Sequence, residues 1–299
     1  MQGLYILIAI ILGMLFSDAH VLTALIRPNL MIMLFFTFIT VNFKPNLLRK
    51  SHFTVLAANI IVPVLFFYVI KLWDIQTAMA VLVIGLAPTA AGAPVITSFL
   101  RGKVDHVTVS ILLLSPVMAL LIPFFLPALL STGAVQVQIL DVLLPVLTVV
   151  FVPLGLSWLV KKWGQPIMPY LIRASKANFY IFLFNVFIAS AKATNFILND
   201  EQSSIGAIFS IGLGVSLLGL FLFKLGERLG PSDLELENSM SLGRKNTMFS
   251  LWLALTFVGP LAALGPIWYI LFQNIYHSIA MYRLDKRGVE EVAFEAGKG

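Results

Sequence analysis

Apolar residues run along this chain in blocks of about 20, long enough to cross a bilayer, and polar residues gather in the short gaps between them. The pattern predicts ten spans, at 3–17, 22–43, 52–72, 76–100, 104–131, 137–160, 171–195, 203–227, 232–258 and 260–282. Two of these blocks are interrupted. The fourth carries Pro88-Thr-Ala-Ala-Gly-Ala-Pro94, and the ninth carries Ser241-Leu-Gly-Arg-Lys-Asn-Thr247. Hydrocarbon satisfies no freed N–H or C=O, so a break at membrane depth has to be shielded by protein or by a water-filled cavity. Matched breaks in the two halves of a chain point to the binding site of a secondary transporter.

The halves meet near Ser131-Thr-Gly-Ala134, with five spans on each side. An odd number of crossings inverts the second half relative to the first. The expected fold is therefore an all-α integral membrane protein of ten transmembrane helices, arranged as two inverted five-helix repeats with broken, crossing helices 4 and 9. The repeats are expected at 1–132 and 133–284, and a charged tail at 285–299. Most of the basic residues, including Arg49, Lys50, Arg101, Lys103, Lys161, Lys162, Arg173 and Lys176, fall in gaps on one side. The positive-inside rule makes that side, and both termini, cytoplasmic in a bacterial-type inner membrane.

Composition agrees with this reading. Of 299 residues, 59% are hydrophobic and 11% charged, with mean hydropathy +0.95, against about 25% charged in ordinary globular chains. The net charge of +6 does not imply nucleic acid, because topology accounts for the basic residues. No basic n-region with a small-residue cleavage site precedes the first block, which is read as a span that stays. The chain has no cysteine, which removes disulfide and thiolate chemistry. It has no nucleophile elbow, P-loop, HExxH or paired histidine cluster, so no enzyme activity, cofactor or metal is expected. His106 beside Asp105, and His277, are expected as solvated rim residues. The 24 Phe are expected as lipid-facing and packing surface.

At the first break Pro88 and Pro94 remove two backbone donors, and Gly92 relaxes the steric limits between them. Small residues, Thr89 and Ala93 among them, leave room for a crossing chain. A simple proline kink is the plainer alternative. At the second break Arg244 and Lys245 precede an apolar run, and each charge costs about 2.5 to 3.5 kcal/mol or more at mid-bilayer. The plainer alternative makes 231–247 a cytoplasmic loop, which Asp233, Glu235 and Glu237 would suit.

At these breaks the chain resembles the bile acid:sodium symporter family. Gly85-Leu-Ala-Pro88 with Gly92, Val95, Thr97 and Arg101-Gly102 follows that family's fourth helix, and Gly243-x-x-Asn246-Thr247 follows its ninth. Gly259-Pro-Leu-Ala-Ala-Leu-Gly-Pro266 and Phe272-Gln-Asn274 resemble its tenth. The resemblance implies a core of spans 3, 4, 5, 8, 9 and 10 and a panel of spans 1, 2, 6 and 7. Substrate would bind between them, and the implied activity is sodium-driven uptake of organic anions. The resemblance fails at the family's sodium ligands, where this chain has Ala93 and Pro94 after the first break, Ser241 and Lys245 at the second, Val107 and Ile111 in the fifth span, and Ala58 beside Asn59 in the third.

The expected function is therefore secondary transport of a small organic anion by alternating access without sodium sites, in contact with the lipid bilayer. Substrate-binding and crossover residues are expected at Thr89, Gly92, Ala93, Pro94, Ser241, Gly243, Arg244, Lys245, Asn246, Thr247 and Asn274. Lys245 stands in place of an ion, and transport is either uncoupled or coupled to protons through Lys245. Arg244 is excluded from that role because a guanidinium does not deprotonate in proteins. Alternatives are an ordinary sodium-coupled symporter, a non-transporting receptor or scaffold on the same fold, and another inverted-repeat carrier such as an auxin efflux type.

Overall fold

The computed structural model describes residues 2–41, 47–130, 138–199 and 205–296, and every regular element among them is helical. In chain order these are α1 (Gln2–Leu15), α2 (Ile26–Thr40), α3 (Lys50–Ile70), α4 (Ile75–Leu86), α5 (Ala93–Phe99), α6 (Val104–Leu130), α7 (Ile139–Trp163), α8 (Met168–Ala174), α9 (Asn178–Asn199), α10 (Ile205–Arg228), α11 (Glu235–Gly243), α12 (Thr247–Leu253) and α13 (Leu264–Ala296). Six helical stretches are long and apolar enough to cross a membrane, and Leu4–Leu15, Ile75–Leu86 and Thr247–Val258 are shorter apolar helices. The protein is a multi-pass membrane protein.

Several boundaries move from their sequence-based positions. The second block opens with a 3-10 stretch, Ser17–Leu25, before α2. The seventh is bent by a 3-10 turn, Ser175–Ala177, between α8 and α9. The tail expected at 285–299 is helical through Ala296, because α13 continues past the apolar block. Its run Val289-Glu-Glu-Val-Ala-Phe-Glu-Ala296 consists mostly of helix-compatible residues. The junction near Ser131-Thr-Gly-Ala134 lies outside the described residues.

The helices pack as two groups of neighbours that meet where α6 packs on α7. In one, α1 and α2 pack on α9, and α2 packs on α7. In the other, α3 packs on α4 and α6, while α10 packs on α4, α11 and α13. α10 shows how an apolar helix chooses its face. Phe209, Leu213, Leu217 and Phe221 point outward, whereas Gly212, Gly214, Gly219 and Gly226 are buried. Lipid replaces water as a good solvent for Leu and Phe, so both sides of α10 are apolar, and its glycines let backbones approach closely on the face where Ile211, Val215, Leu218, Leu222 and Phe223 are also buried. A Cβ on Gly219 would lie 2.3 Å from the Phe272 ring.

One polar network ties four helices of the second set. His52 is fully buried, and its Nδ1 accepts from the Arg49 N–H at 3.0 Å. Its Nε2 therefore donates to the His106 carbonyl at 3.1 Å. The His106 Nε2 donates to Asn238 Oδ1 at 3.0 Å, and Asn238 Nδ2 donates to the Leu229 carbonyl at 2.6 Å. The two imidazoles stack with centroids 4.0 Å apart. Gly230 closes the chain at φ +139°, where a Cβ would sit 2.6 Å from Asn238 Nδ2. The solvated rim position expected of His106 is thus corrected, since it is 6% exposed and bonded to α11. Outside the spans, Lys103 pairs with Asp233 at 2.6 Å, and this hydrogen bond holds the Asp233 carboxyl below its usual range.

Asn238→Leu removes both bonds of that amide and strands the His106 N–H and the Leu229 carbonyl. Each unpartnered buried group costs about 1–3 kcal/mol, so a clear drop in melting temperature in detergent is expected. An unchanged melting curve would show that the network does not hold these helices.

Candidate functional site

The two breaks meet. α4 ends when Ala87 turns extended (φ −58°, ψ 140°), and the chain stays non-helical to Gly92, where Pro94 in the first turn of α5 restarts the helix. α11 runs through Gly243, and Asn246 caps α12 by accepting from the Phe249 N–H at 3.1 Å. The interruptions are thus 87–92 and 244–246, tighter than the sequence pattern suggested, and Ser241 is helical. Between them Thr89 and Lys245 form one antiparallel bridge. The Ala90 N–H donates to the Arg244 carbonyl and the Asn246 N–H to the Pro88 carbonyl, each at 2.8 Å.

Side chains complete the crossing. Thr89 Oγ1 donates to the Ser241 carbonyl at 2.6 Å, and the Tyr269 hydroxyl donates to the Gly243 carbonyl at 2.6 Å. Both carbonyls belong to the last turn of α11, where no helical partner exists. Glu237 through Gly243 are buried, which rules out the loop reading of 231–247. The bridge likewise rules out a simple proline kink at the first break.

Lys245 is fully buried, and its Nζ donates to Asn59 Oδ1 of α3. Asn59 Nδ2 and Ser241 Oγ, both buried, have no partner among the described residues. Arg244 points the other way and places Nη1 2.8 Å from His277 Nδ1. His277 is 2% exposed with its ring edge-on to Phe223, so it too is no solvated rim residue.

A cavity of about 510 Å³ opens beside the crossing, between α2, the α8–α9 bend, the two breaks and α13. Of the residues expected at a substrate site, Gly92, Arg244, Lys245, Asn246, Thr247 and Asn274 line it. Thr89, Ser241 and Gly243 serve the crossing behind its wall. Ala93 packs instead in a small apolar cluster with Val107, Phe223 and Met240, and Pro94 belongs to the first turn of α5. The sequence reading missed Lys176, Asn178, Phe179, Phe182 and Gln273, which also line the cavity. Ser175-Lys-Ala-Asn178 is a polar run at the head of an apolar block, and that is the signal which could have found the first two.

The charge balance of the lining is one-sided. Among the described residues it contains Lys176, Arg244 and Lys245 and no Asp or Glu. Phe36, Phe179 and Phe182 supply apolar surface, the last two with rings stacked 17° from parallel. Such a wall suits an anion with an apolar body.

A family model described as Sodium Bile acid symporter family matches residues 27–199, more than half of the chain. No curated protein matches it. The match covers the first break and the α8–α9 wall, while the second break lies beyond it.

A Cβ on Gly243 would fall 2.3 Å from the Phe223 ring. Gly243→Ala is therefore expected to cost about 1–3 kcal/mol of overpacking and to separate the two breaks. Thr89→Val leaves the Ser241 carbonyl without that partner and should likewise cost about 1–3 kcal/mol. An unchanged melting temperature for Gly243→Ala would show that α10 does not pack closely on the crossing.

Proposed function

The chain belongs to the sodium bile acid symporter family, and from that premise we propose that it is a secondary transporter of a small organic anion that works without the family's sodium sites. The observation that carries the reading is the cavity beside the crossing, whose described lining residues include Lys176, Arg244 and Lys245 and no Asp or Glu. Ten spans in two inverted repeats, with the α1, α2, α7 and α9 set rocking against the rest, would expose that cavity alternately to each side of the membrane. The position of the cavity between α2, α9 and the breaks supports this division.

A sodium ion needs several hard oxygen ligands. The positions where they are implied hold Ala93 and Val107, both fully buried and without a side-chain oxygen, and Ile111. The remaining amide, Asn59, accepts from the Lys245 ammonium. A unit charge about 4 Å from that ammonium would be opposed by about 4 kcal/mol at an effective dielectric of 20. Lys245 in this reading is a tethered cation that links the second break to α3 and keeps the field positive for substrate. Coupling is then either absent or carried by a proton on Lys245, and flux that ignores a pH gradient would remove the second option.

Purified protein should melt at the same temperature in sodium and in choline at equal ionic strength. Ser241→Glu with Lys245→Gln should gain a sodium-dependent shift. Stabilisation of the wild type by sodium would instead make this an ordinary sodium symporter. In proteoliposomes, uptake of carboxylates should not follow a sodium gradient, and complete absence of flux for any organic anion would favour the receptor or scaffold reading.

A further inference from the structure

Resting on the anion-transport reading, we propose that Lys176, on the bend between α8 and α9, is the cation that meets the substrate directly, and that Phe179 and Phe182 beyond it carry the substrate's apolar body. Lys176, Arg244 and Lys245 all line the cavity, and burial separates their parts. Lys245 is fully buried with its Nζ on Asn59. Arg244 has Nη1 2.8 Å from His277 Nδ1 and a buried Nε. These two cations are built into the wall and act mainly through their field. Lys176 is exposed, and no described carboxylate pairs with it. Its ammonium, on a flexible four-carbon stem, is the one placed to follow an entering anion.

The bend brings this charge to the cavity. Arg173, the preceding cation, is exposed in the last turn of α8 and does not line the cavity. The 3-10 turn Ser175–Ala177 follows it. Ser175 Oγ donates to the Ile172 carbonyl at 2.7 Å, and Asn178 Nδ2 ties the start of α9 to the Met33 carbonyl of α2 at 3.3 Å. Ser175 and Asn178 line the cavity with Lys176.

Residues three apart share a helix face, so Lys176, Phe179 and Phe182 form one stripe, and all three line the cavity. The two rings lie 6.3 Å apart and 17° from parallel, and Tyr5 of α1 meets Phe179 edge-on. With a rise of about 1.5 to 2.0 Å per residue, the stripe runs about 10 Å from the cation to the last ring. It fits a carboxylate whose apolar body extends that far, such as an arylalkanoate. Lys176 belongs to the helices around α2 and α9, and the buried cations belong to the second break, so a bound anion is shared between the two groups.

The test is ligand-induced stabilisation of the purified full-length protein by 4-phenylbutyrate, 4-phenylbutyramide, phenylacetate and a series of short aliphatic carboxylates. Wild type should respond to 4-phenylbutyrate and not to its amide. Lys176→Gln should weaken that response about fivefold or more with an unchanged melting temperature in the absence of ligand, and Lys176→Arg should keep it. Lys162→Gln, which removes an exposed cation of α7 outside the cavity, should bind as wild type. Phe182→Leu should weaken 4-phenylbutyrate more than phenylacetate, whose ring reaches less far along the stripe. Because the chain has no cysteine, Lys176→Cys adds a single thiol. 4-Phenylbutyrate should slow its reaction with 2-aminoethyl methanethiosulfonate, and the ammonium installed by that mixed disulfide should restore binding. Wild-type binding by Lys176→Gln, an equal loss in Lys162→Gln, or a thiol that the ligand does not protect would overturn Lys176 as the contact and leave the anion reading resting on Arg244 and Lys245. A response to short aliphatic acids but not to 4-phenylbutyrate would overturn the stripe. Wild type that responds to no carboxylate, or equally to the amide, would overturn both readings.

Discussion

Two broken helices can exist inside an apolar body only because each repairs the other. Breaking α4 from α5 and α11 from α12 frees backbone groups that lipid cannot satisfy. Two reciprocal 2.8 Å hydrogen bonds, from Ala90 to Arg244 and from Asn246 to Pro88, close the bridge. Thr89 and Tyr269 take the last carbonyls of α11. Pro88 fits because its carbonyl is used and its missing N–H is not. Neither break would be tolerable alone, so the position of each fixes the other, and the cavity is built on the result.

The crossing also decides where the charges go. Adjacent residues in an extended segment point to opposite sides, which sends Lys245 toward α3 and Arg244 toward α13. Each meets one neutral partner, Asn59 and His277. Among the described residues no carboxylate lines the cavity. Burying unpaired charge is costly, and an anionic ligand would relieve that cost. The His52, His106 and Asn238 network is a separate tie between α3, α6 and α11.

Much of the site was legible in the chain. Pro88, Gly92, Arg244 and Lys245 break apolar blocks, and such breaks advertise themselves because membrane helices have so few reasons to contain them. The identity of the family was also readable from residues around the breaks. The partners were not. His106 and His277 sit at the ends of apolar blocks, where hydropathy makes them rim residues, yet both are buried through contacts with Asn238 and with Phe223 and Arg244. Lys176 counted in the sequence as a topogenic charge, and the α8–α9 bend brings it to the cavity wall.

By itself the sequence determined that the protein is a helical membrane protein and that two of its helices are interrupted. These follow from composition and local order, because transfer of apolar surface and rupture of a helix are properties of a segment. Only the tertiary structure decided which residues meet across 156 positions of chain, as Thr89 and Lys245 do. It alone decided that Lys245 rests on Asn59, that Arg244 reaches His277, and that Ala93 packs away from the cavity. Those outcomes depend on pairing freed hydrogen-bonding groups between distant helices, and no local pattern records which partner will be in reach.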